Sequence, residues 1–359
     1  MSNQPPRVSI GVPVYNGQNY LAEALDCLRA QTFDDLEIVI SDNGSTDRTE
    51  DICRAYAARD RRIRYHRQHS NRGAGWNFSE AFRLARGEYF KWAAHDDLCA
   101  PTFIERCVER LDADPGLVLC SARAAVIDAE GDSVGDDSPS DQAHVDFQGV
   151  SLAMEAKRLR CVGSQRASRR YLGVLVHSLR CYEVFGLIRA DAMRRTGLHR
   201  PYNGAEKVFL AELALLGRFA ELDETLFFSR WHDQRFSANR SAAAQARHMD
   251  PRAARRVALP RQLRSSWGYL SLIPKSHLPR LEKIGCLLAF GRYLLQPAKW
   301  RRAIVEAALG RGTTVALPTE RKTDVNPYRA RAIRTEKSSP YSVALPLMFP
   351  LESSSSDRT

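Results

Sequence analysis

The feature that most constrains this chain is a regular exchange, over its first 120 residues, between short apolar runs of strand character and stretches of helical spacing. Val8, Ile10, Val12 and Val14 alternate as in a strand, and Leu21, Leu25 and Leu28 then recur as one face of a helix reaching Thr32-Phe33. Leu36 to Ile40 reads as a second strand, ending in the polar turn Ser41 to Asp47. Asp47 with Glu50 marks a helix start, and Ile52, Ala55 and Tyr56 predict that helix's buried face. Ile63 to His66 forms a third strand, Asn71 to Gly75 a turn, and Phe78, Ala81, Phe82 and Ala85 a helical face closed by Gly87. Glu88 to Ala94 is a fourth strand, followed by a Pro-initiated helix from Pro101 to about Asp112 and a strand from Leu117 to Ala122. Strands and helices alternating at this spacing predict βαβ units: an α/β, Rossmann-like, mostly parallel sheet flanked by helices, with right-handed crossovers.

In open sheets of this kind ligands bind beyond the carboxyl ends of the strands. Tyr15-Asn16 follows the first strand, Asp42-Asn43 the second and Asp96-Asp97 the fourth, so three polar clusters converge on one edge. Adjacent carboxylates where a strand stops suit a hard divalent cation with phosphate as its other ligand. The same pair would also cap the helix beginning near Pro101. The convergence of three clusters favours the ligand reading over capping alone.

Composition narrows the partners. The chain carries 53 Lys+Arg against 42 Asp+Glu, a formal +11, which favours anionic partners such as phosphorylated substrates or acidic lipid. Nucleic-acid binding would rest on charge alone, since no aromatic-basic motif accompanies it. Met1 to Arg7 contains no apolar leader segment, and no run reaches the roughly 18 apolar residues of a membrane span. The eight cysteines form no CxxC pair and fall mostly within apolar patterns, so they read as reduced core thiols of a cytoplasmic protein.

Asp128 to Arg180 is polar, Gly- and Arg-rich and poorly periodic, and reads as an irregular insertion or mobile loop. Order returns at Tyr182 to Ile188, then in an apolar helix after Gly204-Ala205-Glu206-Lys207, then in a strand Leu226-Phe227-Phe228 running into Arg230-Trp231-His232. Residues 239–320 are expected to be a helical, basic extension, and 321–359 a disordered tail. The basic stretch around Leu287 to Phe290 and Trp300-Arg301-Arg302 has the make-up of an interfacial helix at an anionic membrane, or of a solvated basic face on a core-packed helix.

Taken in order, Val8 to Asn16, Gln31-Thr32-Phe33, Ser41 to Asp47, Asn71-Arg72-Gly73, Arg86 to Tyr89 and His95-Asp96-Asp97 resemble the nucleotide-sugar domain of glycosyltransferase family 2, which has the GT-A fold. The resemblance covers roughly the first 120 residues and continues to about residue 240. It implies a nucleotide-sugar half over 1–120 and an acceptor-binding and catalytic half over 121–238. Pro13 and Tyr15 would border the nucleoside and Asp42 would bond the base edge, with Asn16, Asn43, Asn71 and Arg72 also binding the donor. Asp96 would lie near the ribose or sugar, and Asp97 would ligate a Mn²⁺ or Mg²⁺ ion bridging the diphosphate. His232 matches a strand-end histidine that completes the metal shell in related enzymes. Glu206 matches the general base that deprotonates the acceptor hydroxyl, with Glu212 and Asp223 as fallbacks.

One base and one displacement imply inversion at the anomeric carbon. The family's processive members carry Gln-x-x-Arg-Trp, whereas Phe227 precedes Arg230-Trp231 here, which implies one sugar per encounter. The implied partners are a nucleotide-diphosphate sugar donor and a hydroxyl-bearing glycan or lipid-linked acceptor, with no nucleic acid. Two positions depart from the family pattern: Ser41 and His95 stand where the family places aspartates. These departures keep open a non-catalytic nucleotide-sugar-binding scaffold. A sugar nucleotidyltransferase is disfavoured, because Pro13-Val14-Tyr15-Asn16 is not the Gly-rich basic loop it needs.

Overall fold

The computed structural model describes residues 4–133, 152–178, 180–235, 242–252, 261–297 and 300. The first half follows the expected alternation: β1 (Val8–Val14), α1 (Leu21–Arg29), β2 (Leu36–Asp42), α2 (Thr49–Arg59), β3 (Ile63–Arg67), α3 (Ala74–Arg83), β4 (Tyr89–Trp92), β5 (Leu98–Cys99), α4 (Phe103–Asp112) and β6 (Leu117–Ile127). After residue 151 come α5 (Leu152–Val162), α6 (Ala167–Leu172), a π-helical turn Gly173–His177, a 3₁₀ turn Tyr182–Phe185, β7 (Leu187–Arg189), α7 (Ala190–Arg194), α8 (Ala205–Leu216) and β8 (Arg218–Arg230). Three more helices follow: α9 (Ala242–Met249), α10 (Arg261–Lys275) and α11 (Arg280–Leu294).

The strands form one eight-stranded sheet in the order β3-β2-β1-β4-β7-β6-β8-β5. The β3-β2-β1-β4 half is all parallel, and β1 and β2 are buried at every position, as strands covered on both faces must be. β7 runs antiparallel between β4 and β6, and β5 pairs antiparallel with the far end of β8. β4 and β5 are consecutive in sequence but lie on opposite sides of β7, β6 and β8. The segment 93–97 that joins them must therefore cross the end of the sheet, carrying Asp96 and Asp97 with it.

The core gathers around Trp92. Its ring meets Phe90 edge-on at 5.4 Å and Phe209 at 5.1 Å, and its Nε1 donates to the Phe78 carbonyl at 2.7 Å. Helix α8 supplies Val208, Phe209, Leu210, Ala211, Leu213 and Ala214 to this core; being apolar on nearly every face, it is buried. Tyr269, Leu272 and Ile273 of α10 and Cys286, Ala289 and Tyr293 of α11 join the same cluster.

Several expectations need correction. β2 continues through Asp42, because Ser41 and Asp42 still pair with β1 and β3. The buried face of α2 is Thr49, Cys53 and Tyr56, and Ala55 is exposed. Among the described residues of 128–180, most of 152–177 is helical, as α5, α6 and the π-helical turn. That stretch lacks a simple period because α6 and the turn are short and inserted into the core through Tyr171, Val174 and Leu175. The position expected as a boundary, 120, falls inside β6, and the described helices of 239–320 include α10 and α11, which pack into the common core. Residues 321–359 lie outside the described residues. All eight cysteines are free, and all but Cys161 are buried.

Candidate functional site

At the carboxyl edge of β1 and β4 a cavity of about 530 Å³ opens between the two halves of the sheet. Seven of the sequence-predicted residues line it: Pro13 at the end of β1, Tyr15 and Asn16 just after it, Asp96 and Asp97 after β4, Glu206 in the first turn of α8, and His232 just past β8. Four sequence regions far apart in the chain thus meet at one place.

The two carboxylates are held from behind by the end of β8. Asp97 Oδ1 accepts the Arg230 backbone N–H at 2.9 Å, and Asp96 Oδ2 lies 3.0 Å from His232 Nε2. Arg230, almost fully buried, acts as a clamp. Its Nε donates to the Asp96 carbonyl at 2.9 Å, one terminal nitrogen to the Ala129 carbonyl at 2.9 Å, and the other to Glu23 at 2.6 Å. The Tyr20 ring lies 4.9 Å from the Arg230 guanidinium and 4.6 Å from the His232 ring.

The environments of the two acids differ. Burial pushes Asp96 upward, but the charge of His95 and the hydrogen bond with His232 hold it below its usual value. Burial, and then the neighbouring charge of Asp96, pushes Asp97 well above the ordinary carboxylate range. His232 Nδ1 is buried with no hydrogen-bond partner among the described residues. Among those residues no group of three or more His, Cys, Asp or Glu side chains is arranged to hold an ion.

Glu206 lines the same cavity as the two acids. Its helix begins at Gly204, whose φ of +89° lies in the left-handed region that a side chain resists. That backbone turn starts α8 abruptly, so the carboxylate projects from the first turn, where the helix dipole favours negative charge. His199, also lining the cavity, has its ring 5.0 Å from Phe78 and is held below its ordinary pKa by burial. The fallback acids are placed elsewhere. Glu212 accepts the Gly197 N–H at 3.0 Å, and exposed Asp223 pairs with Arg123.

Four expected donor contacts do not line the cavity. Asp42 is fully buried, with Oδ1 accepting the Ser45 N–H at 2.8 Å and Oδ2 accepting the Tyr65 hydroxyl at 2.7 Å. Asn43 is buried too, its Nδ2 donating to Asn71 at 3.0 Å and its Oδ1 accepting the Arg72 N–H at 2.9 Å. Asn71 accepts the Gly73 N–H, and the Arg72 guanidinium packs 3.9 Å from the Trp76 ring centre. The polar runs after β2 and β3 therefore bind chiefly each other, because a loop that leaves a sheet must satisfy its own buried backbone groups first. Asn16 does both jobs: it lines the cavity, and its Oδ1 accepts the Thr46 N–H at 2.9 Å. Ser41 is buried and donates to Asn77 at 2.7 Å, away from the cavity, whereas His95 lines it.

Sequence reading missed Tyr20, Phe78, Tyr182, Phe185, His199 and Asn203 as lining residues. Tyr182 and Phe185 belong to a 3₁₀ turn, which has no sequence period to reveal it.

Comparison with known proteins bears on the family and the fold. The family model for glycosyl transferase family 2 matches residues 9–171. An uncharacterized glycosyltransferase of Rickettsia typhi is 38% identical over 118 residues, which is 32% of this chain and 36% of the relative, so the chain spans about a third of that protein's length. The crystal structure of TarS 1–349 from S. aureus in complex with UDP-GlcNAc superposes with a TM-score of 0.54 at 16% identity, covering 80% of this chain and 71% of that one. The mannosyltransferase PcManGT from Pyrobaculum calidifontis, in complex with GDP-Man and Mn²⁺, gives 0.52 at 17% identity, covering 94% and 83%. The family match and the order of the sheet lead to one assignment: residues 9–171 of this chain match glycosyltransferase family 2, and the chain has the GT-A fold.

Proposed function

We propose that this protein is a metal-assisted, inverting, non-processive glycosyltransferase that moves one sugar from a nucleotide-diphosphate donor to a hydroxyl of a glycan or lipid-linked acceptor. The observation that carries the reading is the meeting of Asp96, Asp97 and Glu206 around one cavity large enough for a ligand. Structures of the same fold crystallised with UDP-GlcNAc and with GDP-Man and Mn²⁺ support the donor class and the cation.

In this reading the nucleoside rests between Pro13 and Tyr15, and Asp96 lies beside the ribose or sugar. Asp42, Asn43, Asn71 and Arg72 support donor binding by fixing the loops beneath it. Asp97 and His232 would hold the cation, and the donor set fits: a hard carboxylate oxygen and an imidazole whose Nδ1 has no other partner among the described residues. When bound, that ion neutralises charge building on the diphosphate leaving group. Glu206 accepts the proton of the acceptor hydroxyl while its oxygen attacks the anomeric carbon. The bond to the diphosphate oxygen breaks with its electron pair leaving on the phosphate, and configuration inverts. We place the enzyme in cell-surface polysaccharide, glycolipid or glycoconjugate synthesis, on the cytoplasmic side and in peripheral contact with an anionic membrane.

A thermal-shift panel of nucleotide sugars, with and without Mn²⁺, tests the reading. One donor at about 100 times its Kd should stabilise the protein by roughly 2.7 kcal/mol, with Mn²⁺ strengthening the effect. Asp97→Asn should fold normally and lose the Mn²⁺-dependent part. Failure of every donor to stabilise the wild type, or full retention of the Mn²⁺ effect in Asp97→Asn, overturns it.

A further inference from the structure

Among the described residues, large apolar side chains exposed to solvent are few and crowded in one place. Apart from Tyr15, those among the described residues all lie between Leu263 and Leu295, on α10 and α11 or immediately after. Single exposed leucines are ordinary on soluble proteins, but a group of this size marks an interaction surface.

The spacing is that of a helix face. Leu281, Ile284, Leu288 and Leu295 recur at intervals of three, four and seven residues along one side of α11 and its end, and are 83%, 53%, 71% and 82% exposed. The opposite side, Cys286, Ala289 and Tyr293, is buried in the core. Ser266 contacts Tyr293 at 3.5 Å and Lys283 reaches the Pro274 carbonyl at 3.2 Å, so α10 and α11 form an antiparallel hairpin. This register sets Trp267, 72% exposed, level with the outer part of α11.

The charge of the hairpin is one-sided. From Arg261 to Leu294 it carries Arg261, Arg264, Lys275, Arg280, Lys283 and Arg292 against a single acid, Glu282. Glu282 accepts the Ser168 N–H at 2.8 Å and so belongs to the packing with α6. Lys275, Arg280 and Arg292 are exposed.

We infer that the outer face of the α10–α11 hairpin lies in the plane of an anionic lipid bilayer, its leucines and Trp267 in the acyl boundary and its basic residues among the headgroups. This rests on the membrane-contact part of the proposed function and is independent of donor chemistry. Charge selects this occupant. A second copy packed about a twofold axis on this face would bring two sets of Lys275, Arg280 and Arg292 into one interface, like charge against like, with no acid on the face to offset them. The chain after residue 300 is itself net basic, with ten Lys/Arg against six Asp/Glu, so charge does not draw it onto this face. No helix among the described residues is long and apolar enough to cross a membrane, and α11 has only 15 residues, so this contact is in-plane.

Co-sedimentation of the full chain with vesicles tests this. The probes are phosphatidylcholine alone and phosphatidylcholine with roughly a quarter phosphatidylglycerol. The wild type should bind the anionic vesicles at least about tenfold more tightly than the neutral ones, and less tightly as salt rises. Leu281→Ser with Leu288→Ser, and separately Lys275→Glu with Arg280→Glu, should each lose about tenfold or more while the unfolding transition and donor-induced thermal shift stay at wild-type values. Absence of wild-type binding to the anionic vesicles, or wild-type binding by both double variants, overturns the proposal. So does a concentration-dependent dimer in sedimentation velocity that Leu281→Ser with Leu288→Ser abolishes, because the face would then belong to a second copy. Vesicle binding without any donor-induced shift would instead refute the transferase reading and leave this surface standing.

Discussion

At the scale of single residues, the roles proposed for Asp96 and Asp97 after β4 and for Glu206 can be separated by experiment. Glu206 should act in chemistry and not in donor binding. Glu206→Gln keeps the shape but cannot accept a proton, so turnover should fall at least about a hundredfold while the donor's thermal shift stays unchanged. Near-native turnover would move the base elsewhere. Asp42 makes a different prediction, because its carboxylate serves the Ser45 N–H and the Tyr65 hydroxyl and not the cavity. Asp42→Ala leaves two buried donors without an acceptor and should cost about 1–3 kcal/mol in chemical denaturation, with nucleotide affinity falling as the loop loosens. Unchanged stability together with weaker nucleotide binding would show that Asp42 contacts the base directly after all.

At the scale of elements, the least legible piece was the start of α8, which carries Glu206, the proposed base. A Gly-Ala-Glu turn ahead of an apolar run reads as a helix start, but only the backbone at Gly204, with its φ of +89°, shows how abruptly α8 begins. A Cβ at this position would meet, nearest, the flexible stem of Arg261 at 3.2 Å and the Ser265 hydroxyl at 3.4 Å, so the cost of Gly204→Ala is mainly conformational. We expect roughly 1–2 kcal/mol, a melting temperature lower by about 2–4 °C, and a larger loss in kcat than in donor affinity as Glu206 shifts. Equal losses in kcat and donor affinity would mean that α8 does not position the base. The strand β8 is the other element whose role emerged late. The sequence reads only Leu226 to Phe228 of it as strand, but its 13-residue length is what brings Arg230 and His232 behind the acid pair.

At the scale of the whole molecule, α5, the 3₁₀ turn and β8 are tied together by a buried charge cluster that no sequence pattern announces. Arg158 of α5 reaches Glu155 in its own helix, Glu183 in the 3₁₀ turn at 2.6 Å and Glu221 of β8 at 2.6 Å. Burial alone would lower this guanidinium, but the charges of Glu183 and the other two carboxylates raise it above its ordinary value. Arg158→Met would leave Glu183 and Glu221 buried without their counter-charge, at a cost of about 3–5 kcal/mol in denaturant unfolding. The deficit should shrink toward low pH. Burial raises Glu221, so the folded state holds that proton more tightly than the unfolded chain, and stability falls as pH rises through the window between the two values. A deficit that does not change with pH would show that the lost stability comes from packing and not from unpaired carboxylates.

The sequence alone determined the βαβ order, the parallel half of the sheet and the edge on which Tyr15-Asn16 and Asp96-Asp97 meet. Apolar period and strand-end polarity are local properties, and a parallel sheet converts them directly into sides and edges. It also marked Glu206 and His232, through local motifs, but not what they face. The tertiary structure decided which polar strand ends reach the cavity. Asp42, Asn43, Asn71 and Arg72 carry the same local signature as Asp96, yet their side chains are spent on neighbouring loops. It also decided that β7, β6 and β8 intervene between β4 and β5, which forces the acid pair across the sheet end and against Arg230. Such placements depend on contacts between residues more than a hundred positions apart, and their register is set by packing that no short window of sequence contains.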